Sequence, residues 1–475
     1  MNKNIPFSLP EEYINRIENG ILIISISGIR VKFPDGINPK MLLEIIEAFC
    51  KVSGNTIVIG NDGRSSSPVI TNFIESILNF YNKKVLNIGT APTPTIKAAC
   101  HFSKADAGII ITASHNPQEW NGIKFLKKNG YFYDKEDYVK LFRNINKKIS
   151  LPDLIYYNTY KYEGIEKHIE SILKQIPNLN EIKKKKYKVV IDPVNSSGMY
   201  ALPILLKELN CEIIPLNCEP SKKFCRPPEP TPKALKQFSK ILKKEKASVG
   251  FALDPDGDRL VCGSPFKGAI NEEYTLGLAY LGKRLQLRKK SKFVINFSTS
   301  RILEKVSRED GHIVIRAPVG EVNVLNKMLE LNAKFGGEGN GGVIDPSIPS
   351  KGRDSLTGIV YILSAMAHQN ATTIEDLMNL MPELYMEKMK FAYNLNKKDD
   401  VLIKWFEILS KLYPSGDLEI EEINTEDGFF ILYKNKSWIH LRASNTEPII
   451  RIIFEANSKK ELMYIKQYLE KFYKK

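Results

Sequence analysis

The chain has 475 residues, 43% hydrophobic and 26% charged, and its 69 Lys and Arg against 54 Asp and Glu give a formal net charge of +15. That length exceeds a single hydrophobic core and predicts three or four domains, with a globular composition and no low-complexity tract. The basic excess reads as a lysine-rich solvated surface: the densest cluster, Lys183 to Lys186 with Lys188, reads as an interdomain turn, and no basic stripe carries the interleaved aromatics of a nucleic-acid site. Six cysteines lack C-x-x-C spacing, so no zinc site is expected. The segment Met1 to Pro6 lacks the apolar stretch of a signal peptide, and no apolar run approaches the ~18 residues that span a bilayer. A cytoplasmic protein with no membrane or nucleic-acid partner is expected.

A short β-branched strand, a polar or glycine loop and an amphipathic helix recur along the chain. The strand at Thr56 to Gly60 leads through Asn61-Asp62-Gly63-Arg64 to a helix over Pro68 to Asn82, with Ile70, Phe73, Ile74, Ile77 and Leu78 at helical spacing. A strand at Lys84 to Ile88, a helix from Thr95 and a strand at Ala107 to Ile111 follow. A second series has the strand Val189 to Asp192, the helix Ala201 to Leu209 and a loop at Asp254. A third has the strand Phe293 to Ile295, the helix Arg301 to Arg308, the strand His312 to Ile315 and a glycine loop from Gly336. Such alternation predicts α/β domains with mostly parallel sheets and functional loops at the carboxyl ends of strands. The C-terminal part changes character. Strands at 428–433, 438–441 and 449–454, closed by a helix over Lys459 to Tyr473, predict an antiparallel α+β domain. The predicted domains are 1–155, 156–265, 266–385 and 386–475, with the helix Thr373 to Met381 before the last boundary.

Four segments carry chemistry. In Thr112-Ala113-Ser114-His115-Asn116-Pro117, Ser114 stands at the mouth of an apolar strand like a nucleophile, although a turn serine is equally common there. In Asp254-Pro255-Asp256-Gly257-Asp258-Arg259, three carboxylates at spacing two suit a hard cation such as Mg²⁺; a calcium EF-hand fails because its Gly and Glu positions hold Arg259 and Pro265. Gly336 to Gly342 contains G-x-G-x-x-G by letters. It is followed by Val343-Ile344-Asp345-Pro346, with no helix to open, and Glu338 would face a pyrophosphate with like charge. One carboxylate and one amide, Glu338 and Asn340, suit sugar hydroxyls better. In Arg442-Ala443-Ser444-Asn445-Thr446-Glu447-Pro448 with Arg451, two arginines and hydroxyl donors suit a phosphate dianion; a charged hairpin turn is the plainer alternative.

These four segments, in this order, resemble the α-D-phosphohexomutase family. Ser27-Gly28-Ile29-Arg30, Asp62-Gly63-Arg64, Phe224 to Pro230, Pro318-Val319-Gly320-Glu321 and Gly352-Arg353-Asp354 extend the resemblance over the whole chain. It departs at Asn61, where an arginine is usual, and in the glycine loop, where Asn340 and Gly342 replace Ser and His. The resemblance implies three α/β domains and one α+β domain around a cleft. It implies that Ser114 carries a phosphate, aided by Arg30, His115 and Lys124. It gives Mg²⁺ to Asp254, Asp256, Asp258 and the phosphorylated Ser114, with Arg259 near the phosphoserine. It gives the sugar to Glu338 and Asn340, and the non-reacting phosphate to Arg442, Ser444, Asn445, Thr446 and Arg451. The activity implied is interconversion of hexose 1- and 6-phosphates through a bisphosphorylated sugar, which also serves as activator, in a monomer or homodimer. Glu119-Trp120-Asn121 and the glycine loop look closest to phosphoglucosamine mutase-like and archaeal-type members; glucose and mannose phosphates are the alternative substrates. A metal-dependent sugar phosphatase or a non-catalytic sugar-phosphate sensor are readings from other classes.

Overall fold

In the computed structural model, residues 9–145, 152–392, 398–410, 412, 419–443 and 449–473 are described. They build four sheets. The first runs in the order Leu22–Ser25, Gly28–Lys32, Trp120–Lys127, Ala107–Ile111, Thr56–Asn61, Lys84–Thr90, Thr159–Lys161. Its centre is parallel: Thr56–Asn61 pairs with Ala107–Ile111 on one side and Lys84–Thr90 on the other. The strand Ala107–Ile111 is buried throughout, as a central parallel strand with both faces covered must be. The second sheet, built around Lys188–Asp192 and Val249–Leu253, and the third, around Lys292–Asn296 and Phe335–Glu338, repeat the plan. The fourth is antiparallel, in the order Tyr385–Ala392, Ile449–Ala456, Trp438–Ala443, Phe429–Tyr433, Ile420–Asn424, with the helix Lys459–Tyr473 against it.

The three α/β sheets are mixed, and the mixing decides where the motifs stand. The serine loop joins Ala107–Ile111 to Trp120–Lys127, which returns antiparallel. The aspartate loop joins Val249–Leu253 to antiparallel Leu260–Ser264. The glycine loop joins Phe335–Glu338 to antiparallel Gly342–Ile344. Arg442 and Arg451 lie on two antiparallel neighbours of the fourth sheet. Each motif therefore sits at a strand-to-strand connection; for the serine and aspartate loops this replaces the strand-to-helix connection that the alternation implied. The return strands hid in the sequence because they are buried on both faces and lack a period of two: Leu260–Ser264 has no exposed residue.

Other expectations moved by a few residues or changed character. The strand expected from His312 is Ile313–Ala317, and the helix expected over Thr373 to Met381 is the single turn Glu375–Met378. Lys183 to Lys185 close the helix Leu179–Lys185 rather than forming an interdomain turn, and Lys186 follows in the left-handed conformation. Cations at a helix C-terminus complement its dipole. The second and third α/β units also share one continuous hydrophobic core, from Ile169 through Phe251 to Leu377. Its centre is the pair Tyr274–Lys283 and Ser355–His368, both buried along nearly their whole length. Gly282 permits their approach, since a Cβ there would stand 1.9 Å from the Tyr361 carbonyl oxygen.

Candidate active site

The serine loop is held by one buried side chain, Arg64. Its Nη1 donates to the carbonyls of Pro117 and Trp120 and its Nη2 to those of Ser114 and Asn116, each at 2.7 Å. Its Nε donates to Asp62 Oδ2 at 3.0 Å, so every N–H of the guanidinium is used. Asp62 in turn accepts from Ser67 and Thr112. Asn61, the departure from the family pattern, is consumed locally by the Asp62 carbonyl, Thr90 and Thr71. Under these restraints Ser114 adopts φ 53°, in the left-handed region that L-residues enter at a cost. Its Oγ lies 3.4 Å from His115 Nδ1 and 3.5 Å from Asp254 Oδ2. Burial holds the His115 imidazole well below its ordinary range, and Arg259 and Arg30 add to this.

The three aspartates are buried, with one oxygen of each within 4.8 Å of the others. Burial and the charges of Asp256 and Asp258 push Asp254 well above the carboxylate range. Burial acts against Asp256 too, but Lys124, whose Nζ lies 2.7 Å from Oδ2, leads the pulls that hold it below that range. Burial keeps Asp258 raised, although Arg353 Nη2 approaches its Oδ2 to 2.6 Å. Asp256 Oδ1 and Asp258 Oδ1 are buried without a hydrogen-bond partner. Crowded hard oxygens with orphaned lone pairs fit a divalent cation such as Mg²⁺.

Cations surround this cluster. Arg30 Nη1 donates to Asn116 Oδ1 at 2.7 Å while its Nε is buried without a partner; burial lowers the guanidinium to about 10, against the pull of Asp256. Arg259 is buried, bound to Glu229 at 2.9 Å, with its Nε 3.9 Å from Asp254. Arg353 is the hub: besides Asp258, it reaches Glu338 Oε2 at 3.0 Å and Glu321 Oε2 at 3.3 Å. Glu321 also receives Lys97, which is buried in the helix Thr93–Phe102 and stacks 4.2 Å over the Phe132 ring. Six carboxylates (Asp254, Asp256, Asp258, Glu229, Glu321, Glu338) thus face five cations (Arg30, Lys97, Lys124, Arg259, Arg353).

Glu338 is less available than its place in a sugar loop suggested. It accepts from Asn296 Nδ2 at 2.8 Å, Gly320 N at 3.0 Å and Arg353 Nη1 at 3.0 Å. A carboxylate has about four lone-pair sites, so roughly one is left for a ligand. Asn340 turns its Oδ1 to Gly342 N at 3.2 Å, leaving its amide. Arg442 Nε lies 3.3 Å from Asp427 Oδ2, which also accepts from Val319 N, one residue before the Gly320 that binds Glu338. Arg451 is the cross-strand partner of Arg442. Ser444, Asn445 and Thr446 lie outside the described residues.

The structure therefore brings Ser114, His115, Lys124, Arg30, Asp254, Asp256, Asp258, Arg259, Glu338 and Arg442 into one connected network. Sequence reasoning assigned no role to Arg64, Arg353, Lys97, Glu229 or Asp427. The strings Asp62-Gly63-Arg64 and Gly352-Arg353-Asp354 were the available signals; Lys97 had none, since its partner is 224 positions away.

Four family models match in succession: phosphoglucomutase/phosphomannomutase alpha/beta/alpha domain I over residues 23–151, domain II over 166–265, domain III over 272–385, and the C-terminal domain over 396–471. The chain belongs to the phosphoglucomutase/phosphomannomutase family. It is thus a phosphohexomutase, an isomerase. It is 32% identical over 462 residues to a protein of Thermococcus kodakarensis named phosphoglucomutase/phosphomannomutase, covering 93% of this chain and 96% of that one. It is 33% identical over 461 residues to a probable phosphoglucosamine mutase of Pyrococcus abyssi, covering 94% and 97%. A solved putative phosphomannomutase of Thermus thermophilus shares the fold at TM-score 0.79 and 22% identity, over 96% of this chain and 99% of that one. Among the described residues no helix of this phosphohexomutase is long and apolar enough to cross a membrane.

Proposed function

We propose that the chain interconverts hexosamine 1-phosphate and 6-phosphate, glucosamine phosphate first, through a phosphorylated Ser114 and a bisphosphorylated sugar. The observation that carries the reading is the approach of Ser114 Oγ to Asp254 Oδ2 at 3.5 Å, between residues 140 positions apart. It sets a hydroxyl beside a cluster that can hold a dication. Magnesium held by Asp254, Asp256, Asp258 and an oxygen on Ser114 would supply charge neutralisation for the moving phosphoryl group. A dication and a phosphoryl dianion cancel, so their joint presence would leave the net charge of the surrounding groups unchanged.

In the forward half, a sugar hydroxyl loses its proton, its oxygen bonds to phosphorus, and the bond from phosphorus to Ser114 Oγ breaks. His115 and Lys124 stand beside Oγ and the aspartates as the groups for proton handling and phosphate contact. Arg30 and Arg259 offset charge in a loose transition state. The bisphosphorylated sugar then turns by about half a rotation, and its other phosphoryl returns to Ser114 by the reverse steps, which leaves the isomer. Arg442 and Arg451 hold whichever phosphate is not reacting, with Ser444, Asn445 and Thr446 assigned the same role. Glu338 and Asn340 meet the ring, and Arg353 keeps the sugar loop at a fixed distance from the aspartates.

The names of the relatives support glucosamine phosphate and keep glucose and mannose phosphates as the other candidates. A coupled mutase assay on the three sugar 1-phosphates, with free phosphate measured in parallel, tests the assignment. Glucosamine 1-phosphate should give the highest kcat/KM, with no accumulating phosphate. Faster turnover of glucose or mannose phosphate would overturn the sugar, and stoichiometric phosphate release would make the protein a phosphatase. Intact-mass spectrometry should show one phosphorylation that Ser114→Ala removes.

A further inference from the structure

The third α/β sheet carries an arginine that holds backbone. Arg316, on the strand Ile313–Ala317, reaches across to the carboxyl end of its parallel neighbour Lys292–Asn296. Its Nη1 donates to the carbonyls of Thr299 at 2.9 Å and Phe297 at 3.1 Å, with that of Asn296 at 3.4 Å. Its Nη2 lies 2.8 Å from Glu304 Oε1, and the side chain is 11% exposed. The other two α/β units use the same device. Arg64 holds the serine loop through four carbonyls. Arg226 Nη2 donates to the carbonyls of Asp192 at 3.1 Å and Leu253 at 2.8 Å, and Leu253 immediately precedes Asp254.

The segment that Arg316 holds, Asn296 to Ser300, faces two ways. Toward the sugar loop, Asn296 Oδ1 accepts from Ser298 N at 2.8 Å and Thr299 Oγ1 at 2.9 Å. That fixes the amide so that its Nδ2 donates to Glu338 Oε1 at 2.8 Å. Thr299 Oγ1 also accepts from Gly339 N at 2.9 Å. Toward the C-terminal domain, Ser298 Oγ lies 2.8 Å from His440 Nδ1, and Ser300 Oγ donates to Glu455. The guanidinium is itself covered from that side. Its Cζ lies 5.0 Å from the centre of the Phe430 ring and 5.2 Å from that of Trp438, both on the antiparallel sheet. A planar guanidinium stacks on aromatic faces while it donates along its edge, which a lysine ammonium does not do.

We propose that Arg316 is a positioning residue for the sugar loop: by fixing the carbonyls of Asn296, Phe297 and Thr299 it aims Asn296 at Glu338 and Thr299 at Gly339. The inference rests on the reading of Glu338 as the carboxylate that meets the sugar ring. Glu338 keeps roughly one lone-pair site for a ligand, so the direction of that site is set by the donors that occupy the others. Asn296 is one of those three donors, and Arg316 holds the backbone on which Asn296 stands. Without the guanidinium, residues 296–299 are free to shift, and a displacement of about 1 Å at Glu338 is enough to cost on the order of a hundredfold in rate. Arg316 thus acts through this segment rather than on the sugar itself.

The test is a double-mutant cycle on Arg316→Met and Glu338→Gln, with Asn296→Ala and Arg316→Lys alongside. The readouts are kcat and KM for glucosamine 1-phosphate, taken below every variant's melting temperature. Arg316→Met should lower kcat/KM by about 10- to 100-fold in the wild-type background. In the Glu338→Gln background it should cost no more than about threefold, because no aimed carboxylate is left to misplace. Asn296→Ala should reproduce most of the Arg316→Met loss and show the same dependence on Glu338. If Arg316→Met does not fold, Arg316→Lys and Asn296→Ala carry the cycle in its place. Equal losses in both backgrounds would make Arg316 a general support of the fold and overturn the inference. A kcat/KM within about twofold of wild type in Arg316→Met would overturn it as well, with the sugar contact left standing. If Glu338→Gln alone leaves kcat/KM unchanged, the reading of Glu338 as the sugar contact falls and takes this inference with it.

Discussion

Replacing Arg64 should damage the nucleophile loop before it damages anything else. Arg64→Met removes five donated hydrogen bonds, four to backbone carbonyls at 2.7 Å and one to Asp62 at 3.0 Å. Stripping one partner from a buried ion pair costs about 3–5 kcal/mol, and the buried Ser114 carbonyl left without a donor adds about 1–3. The carbonyls of Asn116, Pro117 and Trp120 are partly exposed and rehydrate, so they add little. The expected loss is about 4–8 kcal/mol, comparable with the whole stability of a domain. For a unit of this size, that lowers the melting temperature by roughly 8 °C or more. Arg64→Lys separates the effects. An ammonium keeps the charge opposite Asp62 but has three donors and no fork, so it cannot hold all four carbonyls. The melting temperature should partly recover while turnover stays down by about a hundredfold, because Ser114 Oγ is no longer held in position. Thermal unfolding by calorimetry and steady-state turnover measure the two arms. Wild-type turnover in Arg64→Lys would show that the loop is shaped by its own sequence, and a melting temperature within about 2 °C in Arg64→Met would refute the energetic argument.

Ser114→Ala should abolish turnover with the fold intact, and Ser114→Gly should be the more stable variant by about 1 kcal/mol, since φ is 53° there; equal urea midpoints would contradict the strain. Millimolar Mg²⁺ should raise the melting temperature of the wild type by binding the native state, EDTA should reverse this, and Asp256→Asn should lose most of the shift; a wild type indifferent to Mg²⁺ would return the aspartate loop to a structural turn. Burial raises Glu273 from its ordinary 4.5 to about 7, against the pull of Lys388. The native state therefore binds that proton more tightly than the unfolded chain does. Its contribution is full below about pH 4.5 and is lost as pH rises through 7, roughly 3 kcal/mol at most. Glu273→Gln should flatten this part of the stability–pH curve, and a variant curve parallel to the wild type would reject the assignment.

Local pattern made much of this protein readable. The β-branched run at Thr56 to Gly60, the helical spacing from Ile70 to Leu78 and the closing helix Lys459–Tyr473 follow from preferences that act within a few residues. Ser114 and the triple aspartate were legible for the same reason: each packs its chemistry into a short string. The hairpin return strands were not, because a strand buried on both faces loses the alternation that would announce it.

The remaining assignments depend on distance in sequence rather than on pattern. Nothing around Lys97 points to Glu321, nothing around Arg353 names Asp258 and Glu338 together, and nothing around Asp427 points to Arg442 and Val319. Arg316 is one basic residue among many until strand pairing sets it against the carbonyls of residues 296–299. By itself the sequence determined the α/β and α+β character, the candidate serine and aspartate loops, and their order along the chain. Tertiary structure alone decided which cation neutralises which carboxylate. In a buried site that pairing follows from Coulomb energy and desolvation over a few ångströms, and those depend on where the chain brings charges together.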